Sequence, residues 1–186
     1  VARASGSFVA GILERLPEFL AIAAPSVPSY FRLQPHRWSA AFNNFGNKDR
    51  ESAVRICPVF GAKDPEAMGR KFHFEFRAAD AAASPHLLLA ALVNAGLDGL
   101  ERELETPTPT ETDLAKLSSD DLKEIGCTRL ATNLDDALKS LTSSEWAAKA
   151  FGKTLIDVID RHKRTEISLM EDLSDEEICA RYYEAY

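Results

Sequence analysis

The sequence predicts an α+β fold in which helices flank an antiparallel sheet. An amphipathic segment opens the chain, short β-prone runs follow within residues 29–80, and helical patterns fill most of the remainder. This order of one helix, a run of strands and then helices differs from the strand–helix alternation that builds parallel α/β sheets. We therefore expect a sheet-containing part over residues 1–105 and a helical extension of the same domain over residues 106–186.

The first helix is predicted from apolar residues that recur every three or four positions between Gly6 and Ala24. Pro17 lies within this pattern, and we expect it to kink or divide the helix because proline has no amide hydrogen to donate. The stretch "APSVPSYFRLQP" follows as a proline-rich loop that leads into a short strand near residues 29–33.

Three further strands are predicted. Two of them, at about residues 38–44 and 52–59, flank "NNFGNKD", which is typical of a turn, and "GAKDPEAMGR" is interpreted as a loop. The third strand is "KFHFEFRAAD", in which phenylalanine alternates with His73, Glu75 and Arg77. Successive strand side chains point to opposite faces, so a phenylalanine face should pack on the core and leave a polar face for another task.

The second half of the chain is predicted to be helical. Ser84 is suited to the N-cap and Pro85 to the first position of the next helix, after which "ETPTPTETD" breaks the pattern. Ser143 or Ser144, and then Ser174, are the expected N-caps of later helices. These helices are read from "LDDALKSL", "SSEWAAKAFG", "KTLIDVIDRHKRTEISLMED" and "SDEEICARYYEAY".

Composition excludes several classes of protein. The net charge of −7 comes from residues 106–186, which disfavours nucleic-acid binding, whereas residues 26–77 carry an excess of basic side chains that suits small anions. No apolar run is long enough to cross a bilayer, so we expect no membrane partner. The three cysteines are far apart and form no C-x-x-C pair, which favours a cytoplasmic location.

Several arginines are predicted on or beside the strands that carry the polar face. These arginines are Arg32, Arg50, Arg55 and Arg77. A polar strand face is typically a solvated surface, but guanidinium groups that share one sheet would repel each other unless an anion were bound. Guanidinium groups bind phosphate and carboxylate with paired hydrogen bonds. Glu75 would be either an ion-pair partner or a ligand of a hard divalent cation.

Four motifs in order resemble the C-terminal part of the glutamine synthetase catalytic domain. They are "GSFVAGIL", "APSVPSYFRLQP", "NKDRESAVRI" and "FHFEFRAADAAASPHLLLAALVNAGLDGL", and the ending "EEICARYYEAY" also fits. The resemblance implies the glutamine synthetase/guanido kinase-like fold. It further implies a ligase that uses ATP to activate glutamate, or a similar carboxylate, as an acyl phosphate before an amine displaces the phosphate.

The resemblance also implies roles for individual residues. Arg32 would bind the carboxylate of glutamate, and Arg77 would bind the side-chain carboxylate. Arg50 and Arg55 would bind nucleotide phosphates and the γ-glutamyl phosphate, so that Arg32 and Arg50 act in catalysis. 

Two more positions match family contacts. Arg70 would be a further nucleotide contact, and Glu75 would be a ligand of Mg²⁺ or Mn²⁺. The family's other metal ligands, its N-G-x-H-x-H stretch and its β-grasp domain precede this segment. We therefore expect the 186 residues alone to be inactive and a full-length parent to be a ring-shaped homo-oligomer.

The sequence departs from the pattern of ammonia-using members at four positions. Trp38 occupies the place of a glutamate that accepts the ammonium proton, and is either a wall for a larger amine or a core residue. His86 is expected to pack at a helix start rather than act as a base, and Asp49 is placed to pair with Arg50. His73 stands where an arginine is frequent and could still face the nucleotide.

These features favour a ligase whose acceptor is an organic amine. The alternatives are an ammonia-using glutamine synthetase, a structural relative that has lost its chemistry, and a stand-alone anion-binding module.

Overall fold

The computed structural model describes residues 2–185 and has the predicted α+β fold. The helices and strands are α1 (Arg3–Ala23), α2 (Ser29–Arg32), β1 (Phe45–Asn47), β2 (Val54–Ile56), α3 (Pro65–Lys71), β3 (Phe74–Phe76), α4 (Pro85–Glu101), α5 (Ser119–Glu124), α6 (Leu134–Ser143), α7 (Glu145–Phe151), α8 (Lys153–Ser168) and α9 (Asp175–Ala185). Tyr186, part of the aromatic ending quoted above, lies outside the described residues. No helix within residues 2–185 is long and apolar enough to cross a membrane.

The three strands form a mixed sheet in the order β1-β2-β3. β2 and β3 are antiparallel as predicted, but β1 and β2 are parallel, so the expected turn between them is not a hairpin. Asn44 explains the difference, because its carbonyl accepts the amide of Val54 at 3.1 Å and its side chain accepts the amide of Ala53 at 3.3 Å. These bonds draw the start of β2 beside the start of β1.

Two predicted strands are wrong. Residues 29–33 form the short helix α2, which follows Pro28 and buries Tyr30. Residues 38–44 form a loop in which every side chain from Ser39 to Asn44 is buried. This continuous burial, unlike the alternating burial of a half-exposed strand, reflects packing on all sides of the loop.

One predicted loop contains a helix. Asp64 caps α3 by accepting the amide of Ala67 at 2.7 Å, and Pro65 occupies the first helical position. A capping residue followed by proline is a helix-start signal that was present in the sequence.

Helix α1 runs without interruption through Pro17, so the prediction that it divides there is wrong. A proline inside a helix leaves the carbonyl four residues earlier without its usual donor, and here that carbonyl belongs to Leu13. The buried side-chain amide of Asn43 donates to the Leu13 carbonyl at 3.2 Å and takes the place of the missing bond.

The core forms where α1 packs against the sheet and the C-terminal helices. Phe19 is fully buried, and its ring lies 6.1 Å from the rings of both Phe76 and Trp146. Leu138 and Leu141 of α6 belong to the same buried cluster. The sheet that carries the candidate site therefore rests on helix α1.

The helix caps agree in part with the sequence. Ser144 caps α7 by accepting the amide of Ala147 at 2.9 Å, and Ser174 accepts the amide of Glu177 at 3.4 Å. Ser84 lies at the N-cap of α4 but accepts no side-chain hydrogen bond there. Ser118 begins α5 with a capping box that sequence analysis missed.

An ion-pair network between α1 and α4 gives an acid-sensitive contribution to stability. Asp98 accepts from Arg15 and Arg102, each at 3.0 Å. Burial raises the pKa of Asp98, but the bonds to the two arginines outweigh it and leave the pKa below the usual 3.8. The carboxylate therefore stabilises the fold fully above about pH 4, and this contribution is lost as pH falls through the lowered pKa.

We expect Asp98→Asn to lower the free energy of unfolding by about 1–2 kcal/mol at pH 7. The difference from wild type should shrink when urea titrations are repeated below pH 4. The exposed carboxylate of Glu105 serves as the control, and Glu105→Gln should have little effect at either pH. A deficit for Asp98→Asn that stays constant as pH falls would contradict an ionic origin.

Candidate functional site

Glu75 lies at the centre of a charged cluster on the polar face of the sheet. Its Oε1 accepts a hydrogen bond from Nη1 of Arg77 at 2.8 Å. Its Oε2 lies 2.9 Å from Nε of Arg55, and this contact is an ion pair whose geometry is not that of a hydrogen bond. Arg55 is directly opposite Glu75 in the β2–β3 register, and Arg77 is two residues further along. Phe74 and Phe76 pack against the core from the other face, which confirms the predicted division of the strand.

Cys57 is a member of this cluster that sequence analysis missed. Its Sγ lies 3.7 Å from Nη2 of Arg55 and 4.0 Å from Oε2 of Glu75, and the residue is buried. Residues two apart on a strand share a face, so the spacing of Arg55 and Cys57 was a usable signal.

Arg77 joins the cluster to two loops. Its Nε donates to the carbonyl of Arg50 at 2.9 Å, and its Nη2 donates to the carbonyl of Trp38 at 3.0 Å. The guanidinium group of Arg50 in turn lies 5.1 Å from the centre of the Trp38 ring, within the range of a cation–π contact. Arg77 is therefore the point at which β3 and both loops meet.

The position of Trp38 excludes one of its two predicted roles. The side chain is 66% exposed, so the core alternative is wrong. Its backbone has a φ of 53°, a left-handed conformation that costs energy in a residue other than glycine.

Asp49 does not pair with Arg50 as expected, and its carboxylate accepts the amide of Glu51 instead.

The guanidinium group of Arg32 donates its hydrogen bonds to other groups of the protein in this structure. Nη1 donates to Ser39 Oγ at 2.7 Å, and Nη2 donates to the carbonyls of Ala78 and Ala79 at 3.1 and 3.2 Å. Burial lowers the pKa of Arg32, although Asp80 opposes the shift. These bonds fasten the loop that carries Trp38 to the end of β3.

The remaining candidate residues lie apart from the cluster. Arg70 is exposed on α3 and pairs with Glu66, and none of its described contacts reaches Glu75. His73 is exposed, with Nδ1 2.9 Å from the carbonyl of Lys71. His86 is exposed in the first turn of α4 rather than packed there as expected.

The described residues do not form a complete metal site by themselves. Both oxygens of Glu75 face arginines, and no group of three or more histidine, cysteine, aspartate or glutamate residues among those the structure describes is arranged to hold a metal ion. A hard divalent cation requires about six oxygen ligands. Glu75 could supply one of them.

The cluster has donors available for an anion. The guanidinium group of Arg50 is exposed and makes no hydrogen bond or ion pair within the described residues, and Nη2 of Arg55 has only the distant sulfur of Cys57. Free guanidinium donors beside a carboxylate form a site suited to phosphate or carboxylate ligands. The fold and the cluster thus define an α+β domain that carries arginine side chains around one carboxylate on a face of its sheet.

The chain belongs to the glutamine synthetase family, because the profile of the glutamine synthetase catalytic domain matches residues 2–182. A glutamine synthetase of Methanocaldococcus jannaschii is 34% identical over 160 residues, which cover 86% of this chain and 34% of that protein. The gamma-glutamylpolyamine synthetase GlnA3 of Streptomyces coelicolor is 33% identical over 177 residues, which cover 95% of this chain and 37% of that protein.

Solved structures agree with this membership. A crystal structure of a novel glutamine synthase homolog superposes with a TM-score of 0.81 at 36% identity, and covers 100% of this chain and 39% of its own. A GmaS/ADP complex superposes with a TM-score of 0.73 at 25% identity, and covers 95% of this chain and 39% of its own. The chain thus spans little more than a third of the length of these relatives.

Proposed function

We propose that the chain is part of an ATP-dependent carboxylate–amine ligase that forms an amide through an acyl phosphate. A carboxylate oxygen of glutamate, or of a similar acid, would attack the terminal phosphorus of ATP, and ADP would leave. The amine nitrogen would then attack the carbonyl carbon, phosphate would leave, and the nitrogen would lose a proton. Family membership and the arginine cluster around Glu75 support this proposal.

The free donors suggest how the cluster would act. Arg50 and Arg55 would neutralise the phosphates of ATP and the acyl phosphate, the main task of a protein in phosphoryl transfer. Arg70 would be an additional nucleotide contact from α3. Arg32 and Arg77 would bind the carboxylates of glutamate only by exchanging a carbonyl or carboxylate partner in the protein for a substrate oxygen.

Glu75 would be one ligand of Mg²⁺ or Mn²⁺. Magnesium sites of nucleotide-dependent enzymes commonly combine one or two carboxylates with substrate phosphates and water, so a single carboxylate here is compatible with that role. When bound, the cation would neutralise phosphate charge.

An organic amine is the acceptor that the site favours, and Trp38 is the observation that carries this choice. An indole cannot accept the proton that an ammonium ion must lose, whereas an exposed aromatic ring can contact the carbon atoms of a larger amine. Trp38 is held in place by its stack with Arg50 and by its carbonyl bond to Arg77. The Streptomyces coelicolor relative is a gamma-glutamylpolyamine synthetase, and a polyamine belongs to this class of acceptor.

The test is ADP release by a full-length protein that carries this segment, with ATP, Mg²⁺ and glutamate. Ammonium, methylamine, ethanolamine and a polyamine are compared as acceptors, and we expect release to depend on an organic amine. Trp38→Ala should raise KM for that amine about tenfold and leave KM for glutamate unchanged. Phe60→Ala, which removes an exposed aromatic side chain outside the cluster, is the matched control.

Two other results would change the assignment. Release with ammonium alone would contradict the organic acceptor and favour an ammonia-using enzyme. Absence of release with every amine would favour a structural protein, a role compatible with the protein-directed bonds of Arg32 and Arg77. We further propose a cytoplasmic, ring-shaped oligomer for the full-length protein and no turnover by the 186 residues alone, as the family implies.

A further inference from the structure

A cleft of about 570 Å³ lies beside the charged cluster and has no role in the proposal above. The residues that line it include four acidic ones, Asp49, Glu51, Glu111 and Asp113. Phe42 and Leu114 are apolar residues of the lining, and His36 is a lining residue with an imidazole side chain. 

Long-range hydrogen bonds bring the two acidic segments together. Thr110 pairs with Gly46 of β1, where its backbone amide donates to the Phe45 carbonyl at 2.8 Å and its hydroxyl accepts from the side-chain amide of Asn44 at 2.8 Å. Residues 111–113 therefore line the same cleft as Asp49 and Glu51.

The carboxylates of the cleft exceed the cations that could neutralise them. Among residues 2–185, Asp113 pairs with Lys116 at 3.2 Å, and His36 lies 3.8–3.9 Å from the carboxylates of Asp113 and Glu51. Asp49 and Glu111 have no cationic partner in the same part of the chain. Four acidic residues therefore line the cleft, and Lys116 and His36 are the basic residues within 4 Å of their described carboxylates.

The dimensions of the cleft suit an organic molecule better than a bare ion. Its volume lies within the range of about 300–1,000 Å³ that is common for small-molecule sites. An ammonium ion occupies a space close to that of one water, about 30 Å³, and would leave most of the cleft unfilled. Apolar walls beside carboxylates match the alternating methylene and ammonium groups of a linear polyamine.

The cleft and the cluster are built from the same two loops. His36 is two residues before Trp38, and Asp49 and Glu51 flank Arg50, whose guanidinium group stacks on Trp38. A long amine could thus place one nitrogen near the Trp38–Arg50 edge and extend its remaining charged groups into the cleft.

We propose that this cleft binds the cationic tail of a linear polyamine that carries at least two ammonium groups. The assignment of this polyamine as the acceptor rests on the proposed function. Binding itself does not, because it requires only the carboxylates and apolar walls of this chain.

The test is calorimetric titration of the 186-residue chain with spermidine, putrescine and n-butylamine at low ionic strength. We expect spermidine to bind at least tenfold more tightly than putrescine, n-butylamine to bind too weakly to measure, and the affinity for spermidine to fall as salt is added. The double variant Asp49→Asn/Glu111→Gln should weaken spermidine binding at least tenfold without a shift in the thermal unfolding midpoint. Glu105→Gln/Glu124→Gln removes the same charge from exposed sites elsewhere and is the matched control.

The outcomes separate this inference from the proposed function. Absent spermidine binding, or an equal loss of affinity in both double variants, would overturn the cleft as a specific site. Turnover of a polyamine that the cleft variant leaves unchanged would overturn the inference and leave the proposed ligase in place. Specific binding without turnover in the full-length protein would support the cleft and contradict the ligase.

Discussion

Replacing Gly99 with alanine is expected to lower the free energy of unfolding by about 2–4 kcal/mol. A Cβ atom at Gly99 would lie 2.2 Å from the carbonyl oxygen of Ser7 and 2.7 Å from the amide nitrogen of Gly11. Both atoms belong to the backbone of α1 and cannot rotate away. Helices α1 and α4 would have to move apart along the contact that closes the core.

Gly69→Ala is the matched control for this prediction. Gly69 lies in α3, and a Cβ atom there would have no heavy atom within 4 Å. Alanine is a better helix former than glycine, so this variant should be as stable as wild type or more stable by up to about 1 kcal/mol. Urea denaturation of both variants measures the difference, and equal stabilities would show that α1 and α4 tolerate separation.

The close approach of α1 and α4 also explains why the motif "AGLDGL" is suited to this fold. Gly11 faces α4 in the same way, since a Cβ atom there would lie 2.1 Å from the carbonyl oxygen of Ala95. Two glycines on opposite helices thus permit backbone contact between them. Sequence periodicity predicted both helices, but it contains no information on which faces of two helices meet.

The charged cluster was predictable because it depends on strand geometry. Alternation along "KFHFEFRAAD" places Glu75 and Arg77 on one face, and the pairing of β2 with β3 brings Arg55 opposite Glu75. The shorter observed strand, Phe74–Phe76, does not alter this arrangement.

Features that depend on contacts distant in sequence were not predictable. Asn43 replaces the donor that Pro17 lacks from a position 30 residues away from Leu13, so the helix continues where local rules predict a break. The parallel pairing of β1 with β2 depends on Asn44 in a similar way. The acidic cleft likewise depends on a long-range contact, because the pairing of Thr110 with Gly46 brings residues 111–113 beside β1.

The arginines of the cluster have different tasks, although sequence analysis grouped them together. Arg50 and Arg55 have guanidinium donors without an oxygen acceptor among the described residues, whereas Arg32 and Arg77 donate to backbone, hydroxyl and carboxylate groups around the Trp38 loop. A guanidinium group with several fixed partners is well suited to holding loops in register. Arg77 bonds the backbone carbonyls of both Trp38 and Arg50, and we expect it to position these two residues.

We expect Arg77→Met to lower the free energy of unfolding by about 2–4 kcal/mol. The variant loses bonds to Glu75 and to the carbonyls of Arg50 and Trp38, and it leaves Glu75 with one cationic partner. The Arg77 side chain is only 16% exposed, so water cannot fully replace these bonds. Arg70→Met is the matched control and should change stability by less than about 0.5 kcal/mol, because Arg70 forms an exposed pair with Glu66.

Two measurements separate the positioning role from a loss of charge alone. Arg77→Lys keeps the charge, but one ammonium group cannot match the planar fork that reaches three acceptors, so it should recover only part of the lost stability. Trp38 is exposed and Trp146 is not, so quenching of tryptophan fluorescence by a soluble quencher reports on the Trp38 loop. Quenching should rise in both Arg77 variants under native conditions and stay unchanged in Arg70→Met. Unchanged quenching in Arg77→Met would mean that the stack with Arg50 holds Trp38 without Arg77, and the positioning role would then be wrong.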